Sequence, residues 1–214
     1  MTNFQKRFLS SLLLIPIALF FIMKGTYFFN FFILICLLIS FYEWFYMSRN
    51  KQYNILGFIF IIFSFYTFYF FRNEGYFEIF LLTLIVCIST DIGGYIFGKI
   101  FKGPKLTKIS PNKTYAGVFG SFFLSIISAS IYFNNLSLIT KSNLDEGEIG
   151  LQTMIIVLFI SLASQAGDLT ISFFKRKSKI KNTGKIIPGH GGLLDRIDGM
   201  IFAFPAIYLI FKIL

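Results

Sequence analysis

Histidine and tryptophan each occur once and cysteine twice in 214 residues, and carboxylates number ten against twenty lysines and arginines. Each shortage closes off a class of function. Cys36 and Cys87 both lie inside apolar runs, so the chain has neither a disulfide framework nor a cysteine-type metal spacing. Both read as small buried apolar residues. The single histidine, His190, has no second imidazole with which to build a metal site. Charged residues make up 14% of the chain, against 56% apolar and 20% aromatic, and mean hydropathy is +0.72. A soluble domain of this length would carry more charge and alternate more regularly.

What is present in abundance is apolar sequence in long runs. Seven stand out: Phe8–Met23, Thr26–Met47, Tyr53–Phe71, Phe77–Phe101, Tyr115–Phe133, Leu151–Phe174 and Leu193–Leu214. At about 1.5 Å per residue each crosses roughly 30 Å of hydrocarbon, the first only marginally. The expected fold is an all-α polytopic membrane protein with seven transmembrane helices, or eight if one of the longer runs is split. Lys6 and Arg7 before the first run resemble the start of a signal peptide. No small-residue cleavage site follows, so a first anchor helix is expected instead.

The net charge of +10 is informative through its placement. With the N-terminus inside, the inner loops hold sixteen lysines and arginines, among them Arg49, Lys51, Lys99, Lys108, Lys113, Lys175, Arg176, Lys181 and Arg196. The outer side holds four: Lys24, Arg72, Lys141 and Lys212. This positive-inside pattern predicts a cytoplasmic N-terminus and an external C-terminus. The acidic loop NLDEGEIG (143–150) falls outside, and FYEWFYM (Phe41–Met47) places Trp44 and two tyrosines at the inner interface. Most of the basic charge serves topology and membrane attraction, and no nucleic-acid partner is expected.

Residues 1–76 hold three spans with little polar beyond Asn30, Ser40 and Glu43, and are read as scaffold. Residues 77–214 carry the chemistry. Two stretches there share a form: a helix ending in an aspartate (Asp91, Asp168), a lysine-rich inner loop, and re-entry through a proline turn, SPNKT or PGHGG. The offset from Asp91 to Pro111 and from Asp168 to Pro188 is twenty residues in both, as in a remnant of a parallel repeat or by coincidence.

In LFISLASQAGDLTISFFKRK, the residues Ser161, Ser164, Gln165, Asp168 and Ser172 form one polar stripe on an apolar helix. A charge at bilayer depth costs about 2.5–3.5 kcal/mol even on lenient scales, so Asp168 needs a cation or a wet cleft. Asp91 ends a similar helix and is followed by Gly93, Gly94 and Gly98, a close-packing signal. In PGHGGLLDRIDG, the loop glycines Gly189, Gly191 and Gly192 are expected to turn backbone N–H groups toward an anion at a helix N-terminus. Asp195 and Asp198 are three apart on that helix and share a face, and Arg196 points elsewhere. Asp168 and Asp195 on neighbouring helices would hold a hard cation such as Mg²⁺, whose other positions go to water and phosphate. Lys113, Lys175 and Arg176 are the basic residues expected to meet a phosphate-bearing substrate.

These residues carry a resemblance. SFFKR at Ser172–Arg176, then Lys181, then PGHGGLLDRID at Pro188–Asp198 is similar to the signature of the phosphatidate cytidylyltransferase (CDP-diacylglycerol synthase) family. DIGGYIFGK at Asp91–Lys99 and SPNKTYAG at Ser110–Gly117 resemble two further family motifs. The chain departs from the family pattern at Asn182, Ile171, Tyr115 and Ala116, three of which (Asn182, Ile171 and Ala116) stand where the family usually has a carboxylate. The resemblance implies transfer of a cytidylyl group from CTP to phosphatidate with Mg²⁺ and room for a second cation. It implies a bacterial-type inner membrane, a site facing the cytoplasm, and an assembly that allows a homodimer. Asp168, Asp195, Lys175, Arg176 and Arg196 would be catalytic, with Asp168 and Asp195 the metal ligands. Ser110, Lys113, Thr114, Asp91, Ser172, His190, Gly191, Gly192 and Asp198 would bind substrate. Two alternatives stay open: a CTP-dependent polyprenol or phytol kinase, and a membrane transporter. The CDP-alcohol phosphotransferase pattern is absent.

Overall fold

The computed structural model describes residues 3–49, 51–107, 109–135 and 150–213. Lys108, Lys141 and the acidic Asp145, Glu146 and Glu148 lie outside the described residues. The described residues form seven helices and no strand: α1 (Asn3–Lys24), α2 (Thr26–Ser48), α3 (Asn54–Asn73), α4 (Phe77–Phe101), α5 (Tyr115–Asn134), α6 (Leu151–Lys177) and α7 (Leu194–Ile213). Each grows from one of the apolar runs. Five of them, α2 to α6, are long and apolar enough to cross a membrane. Their outward faces are apolar: Phe31, Leu38, Leu56, Ile59, Phe119 and Ile155 are all exposed. A continuous apolar exterior of this kind marks lipid contact, and the chain is an integral membrane protein.

The turns between helices follow from local chemistry. Gly25, at φ 67°, lets α2 start directly after α1. Arg72 from the end of α3 donates to the last carbonyls of α1, Nε to Ile22 O at 2.7 Å, and lies over the Phe77 ring. It thereby satisfies acceptors that a helix end leaves open. Lys179, with φ 57°, closes α6 as a left-handed cap, its N–H donating to Arg176 O and that of Ile180 to Lys175 O. Thr114 caps α5 by accepting the Gly117 N–H at 3.1 Å.

Two helical hairpins, α4–α5 and α6–α7, are the most extensively packed pairs. Both close at glycines. A methyl on Gly93 would strike the Gly120 carbonyl, and one on Gly117 would lie 2.8 Å from the Gly94 carbonyl. On the second hairpin, Gly167 abuts the Asp198 carbonyl and Gly199 abuts Ser164. The small-residue signal read at Gly94 and Gly98 is thus the α4–α5 seam, extended by Gly93. Between the hairpins, Thr90 Oγ1 of α4 donates to Ser161 Oγ of α6 at 2.8 Å, and within the first hairpin Ser121 Oγ donates to Thr90 O at 2.7 Å. An aromatic core of Phe71, Phe80, Phe204, Tyr208 and Phe211 joins α3, α4 and α7.

Side-chain contacts place one set of helix ends together. Ser10 of α1 meets His190, Ser178 after α6 donates to Met47 O of α2 at 2.6 Å, and Trp44 Nε1 donates to Asn54 O of α3. The α4 end meets the α5 start where Gly98 faces Thr114. All the motif residues gather at this end. Asp91 and Asp168 do not terminate their helices as the sequence suggests, since α4 runs on to Phe101 and α6 to Lys177. Glycine does not stop α4, because Gly93, Gly94 and Gly98 are held by the α5 seam.

Candidate active site

Two ion pairs form the centre of the site. Lys113, in the turn before α5, binds Asp168 Oδ2 through its ammonium at 2.6 Å, with side chains 24% and 30% exposed. The same ammonium lies 3.4 Å from Gln165 O. Lys175 donates to Asp195 Oδ1 at 2.8 Å, and here the side chains are only 12% and 6% exposed. The stripe on α6 supports the first pair. Ser172 Oγ donates to Asp168 Oδ1 at 3.3 Å, one turn away, and Gln165 reaches back to Ser161 at 3.5 Å.

Asp195 is the more enclosed carboxylate. Its Oδ2 accepts the N–H of Thr183 at 2.9 Å and of Gly192 at 3.1 Å. With Lys175 that makes three donors on a group that has about four acceptor positions. Asp198, one turn along, is 9% exposed and among the described residues takes only the N–H of Gly199, at 2.9 Å. The sequence pairs Asp168 with Asp195 around a cation. In the structure each of these is paired with its own lysine.

The glycine loop differs from expectation. From His190 to Leu194 its N–H groups do not face outward to an anion. Those of His190 and Gly191 donate to Ile187 O at 3.0 and 3.1 Å, that of Gly192 goes to Asp195, and those of Leu193 and Leu194 go to Glu43. Gly191, at φ 93°, supplies the tight turn that allows this inward arrangement. Internal carboxylates and a carbonyl therefore satisfy the amides that were read as a phosphate cradle. His190 turns its ring to α1, with Ser10 Oγ 2.8 Å from Nδ1 and Ser11 Oγ 3.3 Å from Nε2.

The remaining motif residues fall into place around the pairs. Arg196 is exposed and donates to His190 O at 3.0 Å. Arg176 is exposed and makes no ion pair among the described residues. Ser110 accepts the Lys113 N–H on its carbonyl at 3.0 Å and so shapes the turn that aims Lys113. Thr114 is occupied as the α5 cap. Asp91 is exposed on α4.

One residue at the site was assigned to the scaffold. Glu43 of α2 is fully buried, and its oxygens accept from Leu193 N–H at 2.8 Å, Leu194 N–H at 2.9 Å and Thr183 Oγ1 at 2.8 Å. The rule that made Asp168 notable, that a carboxylate within an apolar helix needs partners, applied equally to Glu43.

Among the described residues no three carboxylate, imidazole or thiolate groups converge closely enough to cage a metal by themselves. The donor set still fits a hard cation of the Mg²⁺ kind, which binds through one or two carboxylates and completes its shell with water and phosphate oxygens. Asp168 and Asp198 both have acceptor positions that no protein donor fills.

The sequence matches a family model described as "Cytidylyltransferase family" in two overlapping segments, residues 5–80 and 56–214. Among curated relatives, a phosphatidate cytidylyltransferase of Staphylococcus aureus (strain COL) is 39% identical over 142 residues, covering 65% of this chain and 50% of that protein. The Staphylococcus epidermidis protein of the same name (strain ATCC 35984) is 37% identical over 140 residues, covering 65% and 50%. That of Rickettsia typhi (strain ATCC VR-144 / Wilmington) is 41% identical over 133 residues, covering 60% and 57%. The match spans about half the length of these relatives. The family model, by contrast, extends through nearly all of this sequence, including the two hairpins and both lysine–aspartate pairs, and the chain belongs to the cytidylyltransferase family.

Proposed function

We propose that the chain transfers the cytidylyl group of CTP to phosphatidate, releasing pyrophosphate and giving CDP-diacylglycerol. The observation that carries this reading is the pairing of two lysines with two aspartates at one end of a lipid-facing bundle, in the residues where the family motifs fall. The names of the relatives support it. So does the sixteen-to-four bias of basic residues: on a seven-span arrangement with the N-terminus inside, it would put that end in the cytoplasm with CTP.

The chemistry asks for no protein nucleophile. A phosphate oxygen of phosphatidate attacks the α-phosphorus of CTP, a new P–O bond forms, and the bond to pyrophosphate breaks with the electron pair leaving on pyrophosphate. The protein's task is to bring two polyanions together and stabilise the leaving charge. Lys113 and Lys175 are held at known positions by their aspartates, so their charges are pre-oriented. Arg176 and Arg196, exposed on neighbouring turns, would meet the leaving pyrophosphate. Ser110 would aim Lys113 at one substrate's phosphate. His190, tied to α1 by Ser10 and Ser11, would shape the loop. Mg²⁺, when bound, would neutralise triphosphate charge and polarise the α-phosphoryl group. Asp168 and Asp198 would hold it, with Asp195 reachable through the Oδ1 that Lys175 occupies.

The test is CTP labelled at the α-phosphate, supplied with phosphatidate and Mg²⁺ to purified protein. Label in the lipid product is the expected result. Label that stays soluble while γ-labelled CTP marks a lipid alcohol would establish the kinase reading instead.

A further inference from the structure

We infer that Glu43, on a helix outside the motif region, is a positioning residue for the site, and this inference rests on the cytidylyl-transfer reading above. Its carboxylate is fully buried and forms no ion pair among the described residues. Its charge is balanced by the partial positive charge at the α7 N-terminus and by three hydrogen-bond donors.

Those donors come from both ends of the segment that joins α6 to α7. Thr183 lies near its beginning, and Leu193 and Leu194 at its end. Glu43 therefore pins the whole connection, including the glycine turn, to α2. Thr183 then links two carboxylates: its hydroxyl donates to Glu43 Oε2, and its N–H donates to Asp195 Oδ2. Asp195 in turn holds Lys175. Displacing Glu43 displaces Thr183, and with it the acceptor that aims the Lys175 ammonium.

The surrounding chain is shaped to this carboxylate. A methyl on Gly192 would collide with Glu43 Oε2, and one on Gly184 would lie 2.6 Å from Oε1. Packing alone does not require a charge here, since glutamine fills nearly the same volume. Three donors spread over two oxygens do require two acceptors. Glutamine offers one, and its amide would turn a donor toward either the Leu193 N–H or the Thr183–Leu194 pair.

The test uses the full chain, unmodified and as Glu43→Gln and Thr183→Val, in detergent or liposomes. Turnover of CTP with phosphatidate is measured beside amide hydrogen exchange. Glu43→Gln is expected to lower kcat about ten- to a hundredfold while KM for CTP moves less than about threefold, as loss of charge-assisted hydrogen bonds to a positioning group predicts. Amides of 183–194 should exchange at least about tenfold faster, with those of the α4–α5 hairpin unchanged. Thr183→Val, which keeps the N–H to Asp195, should shift both readouts the same way by a smaller factor. Parent-like kcat with a protected loop in Glu43→Gln overturns the inference. So does faster exchange spread equally over all helices, which marks a merely structural role. If Glu43→Gln does not fold, parent-like values in Thr183→Val overturn it. Failure of the unmodified chain to turn over CTP refutes the reaction instead, and the exchange experiment still decides whether Glu43 organises the loop.

Discussion

The same substitution, aspartate to asparagine, should separate the two carboxylates that sequence reasoning treats alike. At Asp195, asparagine keeps one acceptor and gains an amide donor. If its oxygen stays on the Thr183 and Gly192 N–H groups, its NH₂ faces the Lys175 ammonium, which is 12% exposed and loses its counter-charge. If it flips, the donor faces two backbone donors. Either way a nearly buried charge is left unpaired, at a cost of about 3–5 kcal/mol. At about 2–4 °C per kcal/mol for a chain of this size, the melting temperature should fall by roughly 6–20 °C. Asp168 is a different case. Its pair with Lys113 is a quarter to a third exposed, so losing it should cost about 0.2–1 kcal/mol and leave melting nearly unchanged. Both variants should lose turnover. Trp44 provides the assay, being the only tryptophan, buried, and in ring contact with Phe174 of α6. Its fluorescence on heating reads the packing next to the site directly. Adding Lys175→Met to Asp195→Asn should recover about 1–3 kcal/mol of stability without activity, because the stranded charge is removed. If Asp195→Asn melts with the parent, or if Asp168→Asn is the more destabilised of the two, the division into an enclosed and an open pair is wrong.

Three further outcomes are expected. Gly93→Ala should destabilise by about 1–3 kcal/mol, since its methyl meets a backbone carbonyl that cannot yield, whereas Gly75→Ala has open space around it and tests only the left-handed backbone. Thermal melts of both check this. Thr114→Ala should cost about 1 kcal/mol through the lost α5 cap and also lower turnover, because the cap adjoins Lys113. Chelation of divalent cations should stop turnover and added Mg²⁺ restore it, while α-label transfer that persists in chelator would remove the cation from the proposal.

The helices were legible because apolar runs of this length permit little else. The run Phe77–Phe101 coincides with α4 at both ends. Lys113 and Asp168 were each singled out, though only the fold brings a residue of the α4–α5 loop to the middle of α6. The glycine turn was misread for a clear physical reason. A glycine-rich loop before a helix offers amides to any anion, and the sequence cannot say whether that anion is a ligand or a carboxylate of the same chain. Here it is Glu43 and Asp195. Glu43 was visible as a lone acid in an apolar helix but was set aside because its neighbours carry no motif. The His190 ring likewise meets Ser10 and Ser11 of α1, 180 and 179 residues away along the chain.

The glycine seams have a mechanical consequence. Within each hairpin the backbones touch, so neither hairpin can flex without separating main chain from main chain. Between the hairpins the contacts described are made by side chains, the Thr90–Ser161 hydroxyl bond, the Lys113–Asp168 pair and the Phe80–Phe204 ring contact, and such contacts re-form after a small slide. Any breathing that admitted the proposed diacyl substrate would therefore run most easily along that side-chain boundary, with two stiff levers moving past one another and the lysine acting as the latch between them.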